Sequence, residues 1–114
     1  VSRKGQGLSE IRSLETPAFK QVSALGWLQE DGTPWSCWCT PMTLSDMEWI
    51  NKKAGGSAHK FTAYTIVRKA VDEQGEPLFT LADATELMNR RADELMSLCA
   101  QMNDGKGFDE QVKD

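Results

Sequence analysis

The residues in this chain that could do chemistry are one histidine, three cysteines and a few closely spaced carboxylates. His59, Cys37, Cys39 and Cys99 together are ligand types that zinc accepts. Structural zinc sites, however, separate paired cysteines by about two to four residues, and Cys37-Trp38-Cys39 leaves only one between. An odd cysteine count with one close pair is not a disulfide framework. It fits free thiols in a reducing compartment, acting as small core hydrophobes. The carboxylate pairs Asp46/Glu48 and Asp93/Glu94 fall on expected helix caps or surfaces, where acids are ordinary. A general acid–base catalyst needs a partner within reach, and nothing in the sequence marks one for His59. There is no nucleophile motif, glycine-rich phosphate loop or HExxH. The expectation is a protein with no catalytic residues, no metal and no cofactor, a zinc-stabilised interaction module being the alternative.

Recognition chemistry is better represented. Four tryptophans in 114 residues is a rich supply. In a strand, Trp35, Cys37 and Cys39 share one face, which should point to the core. Trp38 falls on the other face, and Trp49 lies beside the apolar stripe of its helix. Such aromatics are either covered within the monomer or serve as interface anchors. Met88, Met96 and Met102 sit on the last helical stretch, where methionine suits both a core and an adaptable binding surface.

The elements that must position these residues are legible from pattern and punctuation. Asp31-Gly32 is a hairpin signal, so a β-hairpin is expected at about 22–40, with Pro34 tolerated at a strand start. Thr43-Leu44-Ser45-Asp46 reads as a capping box, opening a helix with Leu44, Met47, Ile50 and Ala54 at helical spacing and ending at Gly55-Gly56. Residues 58–71 carry both helical and strand periodicity; their length favours helix. Asp72 to Pro77 is a polar turn. Residues 80–103 place Leu81, Ala84, Met88, Ala92, Leu95, Cys99 and Met102 on one continuous helical face, as one helix or as two broken near Asn89-Arg90-Arg91. The fold class is therefore mainly α: a small helical domain whose N-terminal hairpin packs on three to four helices. Its expected limits are 21–103, with a flexible arm at 1–20 and a disordered tail at 104–114.

Charge supports a protein partner. With 13 basic and 17 acidic side chains the chain is net -4, which argues against a nucleic-acid partner and a polybasic membrane anchor. No apolar run approaches the roughly 18 residues of a spanning helix, and the first residues lack the apolar stretch of a signal peptide. Residues 1–26 hold four basic and two acidic side chains, against nine and fifteen in the remainder.

The C-terminal half also resembles a family. Asp72-Glu73-Gln74-Gly75-Glu76-Pro77-Leu78-Phe79, a capped start with Asp83, then Leu87 and a helix ending at Met102-Asn103, together with Cys39-Thr40-Pro41-Met42-Thr43 and the helix through Ile50, look like the tail assembly chaperones of long-tailed bacteriophages. The likeness covers about residues 27–103; the tryptophan-rich hairpin and the basic arm depart from it. It implies a non-catalytic protein of the host cell cytoplasm, absent from the mature virion. Such a protein binds and solubilises the tape measure protein, recruits the major tail protein and self-associates. On that reading Trp38, Trp49 and Met96 are the expected partner-binding residues. A generic helical adaptor is the alternative.

Overall fold

The computed structural model describes residues 3–15 and 19–104. The hairpin forms where the Asp-Gly signal places it: β1 (Lys20–Leu28) runs antiparallel to β2 (Pro34–Cys39). Gly32 takes a φ of +85° at the turn, a conformation only glycine adopts without cost. The Asp31 carboxylate accepts from the Thr33 N–H at 3.0 Å and from its hydroxyl at 2.6 Å. Alternation then buries Val22, Ala24, Cys37 and Cys39 on one face. A lone hairpin is marginal in water, and this one is supported from both sides. Val71 exchanges two backbone hydrogen bonds with Trp38, at 2.9 and 2.8 Å, as a one-residue extension of the sheet. On the other side the Gln101 amide pairs with both backbone groups of Ser23, at 3.0 and 2.8 Å.

Helix α2 (Leu44–Ala54) begins with the expected capping box: the Asp46 N–H donates to Thr43 Oγ1 at 3.0 Å, and the Thr43 N–H donates to Asp46 Oδ2 at 3.1 Å. It ends at Gly55, whose φ is +56°. The buried face differs from the apolar stripe in the sequence. Ile50 and Ala54 are buried, but Asp46 joins them, while Leu44 and Met47 are exposed. The cause is electrostatic. Helix α3 (Ala58–Lys69) delivers Lys69 Nζ to Asp46 Oδ2 at 2.6 Å and Arg68 Nε to Asp46 Oδ1 at 2.9 Å. Lys69 also donates to Thr40 Oγ1 at 2.8 Å and to the Pro41 carbonyl at 3.2 Å. Burial alone would raise the Asp46 pKa. The hydrogen bonds from Lys69, Thr43 and Arg68 outweigh it and hold the carboxyl well below the usual carboxylate range.

The last segment is two helices, α4 (Asp83–Leu87) and α5 (Ala92–Asn103), separated near the expected Asn89-Arg90-Arg91 break. Asn89 and Arg90 donate backbone bonds to Glu86 and Leu87 in a tightened last turn, and Arg91 is extended. The phase of the apolar face therefore resets. Ala84, Leu87, Leu95, Leu98, Cys99 and Met102 are buried, whereas Leu81 and Met88 are exposed. Helix α3 is central, packing against α2, α4 and α5, and α5 also lies along β1. Lys20 Nζ reaches the carbonyls of Gln101 and Asp104 at the C-terminus of α5, both at 2.5 Å, where a cation is favoured. The architecture is thus a mainly α domain carrying an N-terminal hairpin. Within the segment expected as an arm, Gly7–Leu14 forms helix α1, and none of its residues is buried. The tail expected to be disordered falls, apart from Asp104, outside the described residues.

Candidate partner-binding groove

The groove begins with an irregularity in β1. Ala24 pairs with Trp35, but the next pair is Leu28 with Pro34, so three extra residues of β1 stand opposite one step of β2. In an unbroken strand Trp27 would face away from Ala24 and Trp35. The bulge brings it round, and the two indoles meet edge to face with centroids 6.2 Å apart. Gly26 sits within the bulge, against the start of α5. A Cβ there would overlap Glu94 Oε1 and lie 2.7 Å from Glu94 Cδ. These atoms are the far end of the Glu94 side chain, so a Cβ at Gly26 requires that carboxylate to swing out of its buried position. Gly26→Ala is expected to destabilise the protein by about 1–3 kcal/mol. Adding Glu94→Ala should recover at least half of that loss in urea unfolding. Additive costs would place the clash elsewhere.

Trp35 packs on the core and also against Phe79, whose ring centroid is 6.3 Å away. Trp27, Trp35 and Phe79 form the floor of an open groove of about 590 Å³, with Leu28, Leu78 and Leu87 as walls. Its rim carries Asp83, Glu86 and Arg90, the last two ion-paired one helical turn apart. A second groove, about 430 Å³, shares Trp35, Leu78 and Phe79 and continues the trough past Trp38 to Asp72 and Glu73. Leu28 and Leu78 are 66% and 43% exposed, so the walls present apolar surface to solvent. A concave aromatic floor with an acidic margin suits an amphipathic helix.

The three expected partner-binding residues lie on separate parts of the surface. Trp38 is half-buried and lines the second groove. Trp49 is held in the seam between α2 and α3, edge-on to Tyr64 at 6.0 Å, with the Arg68 guanidinium 5.2 Å from its ring centre. Met96 is 61% exposed on α5 and lines a third hollow with His59 and Met88. Trp27, Leu78 and Phe79 were not singled out by residue type. The poor alternation around Gly26-Trp27 was the available signal for the bulge, and Leu78-Phe79 stood out only as part of the family resemblance.

The cysteines are buried free thiols. Burial, then the neighbouring Cys39, pushes the Cys37 thiol up to about 12. Burial likewise raises Cys39, against the opposing pull of Lys20 and Lys69, and it raises Cys99. Such thiols are poor nucleophiles and poor ligands. Among the described residues no group of three or more His, Cys, Asp or Glu side chains is placed to hold a metal ion. Asp46 is committed to its ion pairs with Arg68 and Lys69, and Asp93 to Arg91 at 2.6 Å. No helix among the described residues is long and apolar enough to cross a membrane.

No protein-family model and no curated protein matches the chain. Among solved structures, that of the bacteriophage HK97 tail assembly chaperone is similar, with a TM-score of 0.55 over 87% of this chain and 92% of that one. Identity across the match is 12%, so the likeness is one of fold. The helical domain with its leading hairpin, expected from the sequence, is the fold this chain shares with the HK97 tail assembly chaperone.

Proposed function

We propose that this protein is a phage tail assembly chaperone that binds and solubilises the tape measure protein in the host cytoplasm. On this reading it recruits the major tail protein during tube assembly and is left out of the mature virion. The observation that carries the reading is the trough floored by Trp27, Trp35 and Phe79, on a fold shared with a known tail assembly chaperone. A tape measure is a long helical chain whose apolar stripes need cover until a tube encloses them. Each groove then has to hold one short amphipathic stretch only weakly. Many copies along one filament give avidity without any single tight contact, and major tail protein displaces them by competing for the same surface. Trp38 serves as the far end of the trough; Trp49 and Met96 are proposed as supplementary contacts.

Co-expression with the tape measure protein tests this. The wild-type chain should keep it in the soluble fraction, and the double variant Leu28→Glu, Leu78→Glu should leave it in the pellet. Both positions are on the open walls, so the fold should survive, as a far-ultraviolet spectrum and melting curve would verify. Equal solubilisation by the variant would remove the groove from the mechanism.

A further inference from the structure

The second groove runs along the outer edge of β2, and that edge carries one open backbone pair. Val71 takes both the N–H and the carbonyl of Trp38, so Trp38 turns its backbone away from β1. In an antiparallel ladder the backbone faces outward at every second residue, so Ser36 faces the same way. The opposite strand has the same phase. Ser23, the partner of Ser36 in the register, turns both its backbone groups out to the Gln101 amide, at 3.0 and 2.8 Å. Ser36 has no counterpart of Gln101: among the described residues nothing hydrogen-bonds its outward N–H or carbonyl. The sheet stops at Val71 for a local reason. Antiparallel continuation would set Glu73 opposite Ser36. The Asp72 carboxylate instead accepts from the Gln74 and Glu76 N–H groups, at 2.8 and 2.9 Å, and turns the chain away. The space left is the groove of about 430 Å³, lined by Ser36 together with Trp35, Leu78 and Phe79. Pro34 has no N–H with which to lengthen the edge, so the slot suits a short extended stretch and not a long strand.

We propose that this second groove takes a short extended segment of the client, which adds to the edge of β2 by exchanging two backbone hydrogen bonds with Ser36. This rests on the reading of the trough as the client site and adds a second binding mode to it: a helix in the first groove, an extended stretch beyond. The two grooves are continuous through Trp35, Leu78 and Phe79, so one client chain can occupy both. Strand geometry sets the pattern of the segment. The residue opposite Ser36 shares the face of Trp38 and Gln21, whereas its two neighbours turn to the Trp35 side, beside Phe79. The pattern is apolar, polar, apolar, and the exposed Glu73 at the margin favours a Lys or Arg next to it. Backbone bonds supply affinity while reading little of the side-chain sequence. That suits a chaperone which must hold many different stretches of one filament.

Ser36→Pro tests this, because the N–H it removes points away from β1 and the ladder between the strands keeps its bonds. Ser36→Ala is the control: it loses the hydroxyl, which accepts from the Gln21 amide at 3.1 Å, and keeps the backbone. The probes are synthetic peptides tiling the tape measure protein, measured by titration calorimetry. The peptide that binds the wild type best should lose at least about tenfold in affinity to Ser36→Pro and less than about twofold to Ser36→Ala. Should Ser36→Pro fail to fold, hydrogen exchange in the wild type answers alone. In the free chain the Ser36 N–H should exchange at least about tenfold faster than the Trp38 N–H, and peptide should slow it at least about tenfold. Carbon chemical shifts of the bound peptide should show an extended run beside a helical one. A bound peptide that leaves the Ser36 N–H as fast as before overturns the strand addition, and so does one that is helical throughout. Equal affinity for Ser36→Pro and the wild type, or equal losses in the Pro and Ala variants, overturns it too. In each of those cases a peptide still binds, and the chaperone reading stands. If no tiling peptide binds the wild type, the chaperone reading falls and this proposal falls with it.

Discussion

Replacing Asp46 with alanine is expected to cost about 3–5 kcal/mol of folding free energy, the usual loss when one member of a buried ion pair is removed. The reason lies in what is left behind. The Lys69 side chain is 4% exposed, and without Asp46 its charge keeps only the Thr40 hydroxyl and the Pro41 carbonyl. Arg68 loses its carboxylate, and the N-terminus of α2 loses half of its capping box. Against a typical total of about 5–15 kcal/mol, this one change threatens the fold. Asp46→Asn should cost less, because the amide oxygen can still accept from Lys69 or the Thr43 N–H. The same site sets a pH dependence. The folded-state pKa is depressed, so the contribution is fully present above the unfolded value of about 3.9 and is lost as pH falls through the lower folded value. Urea midpoints measured from pH 7 downward should fall more steeply below about pH 4 in the wild type than in Asp46→Asn. Parallel curves would mean that Asp46 is not the carboxylate that makes the protein acid-sensitive.

That network also marks where sequence patterning stopped being informative. The capping box was readable because Thr43 and Asp46 are three residues apart, and capping is local. The burial of Asp46 was not, because its partners come from α3, more than 20 residues later. With Asp46, Ile50 and Ala54 on the buried face of α2, Leu44 and Met47 fall on its exposed side. The break between α4 and α5 was visible as a weak point, but its consequence, the resetting of the apolar face, needed the observed backbone. The groove was the least legible part. Period-two reasoning assigns Trp27 and Trp35 independently, strand by strand. Only a bulge places them on one floor, and a period-two pattern does not mark where three extra residues enter a strand. The resemblance pointed to the right fold, since it rested on caps and turns, which are local features, while the hairpin was read from Asp31-Gly32 alone. It could not mark the trough, whose residues come from both strands, the segment after Val71 and α4.

Trp27→Ala is the substitution with the largest expected effect on recognition. Its indole is half-buried, anchored edge-on to Trp35 and open to the trough on its other side, the position in which truncation of an aromatic typically costs about 2–4 kcal/mol of binding. For a synthetic amphipathic helix from the tape measure protein, that predicts at least roughly a 30-fold loss of affinity by titration calorimetry. Trp27→Phe should retain most of the binding, because a smaller ring still fills the floor beside Trp35. Met96→Ala, in the hollow that meets the trough only at Arg90, should change affinity by less than about threefold if Met96 is a supplementary contact. Folding must be scored alongside, since Trp27 also rests on the core. A melting temperature lowered by only a few degrees, with binding abolished, would separate the two roles. On a filament carrying many copies, the loss at each groove multiplies, so Trp27→Ala should abolish solubilisation of the full-length tape measure even where a single short peptide still binds measurably. Wild-type affinity in Trp27→Ala, combined with a large loss in Met96→Ala, would move the recognition surface from the hairpin trough to the α3–α5 side of the domain.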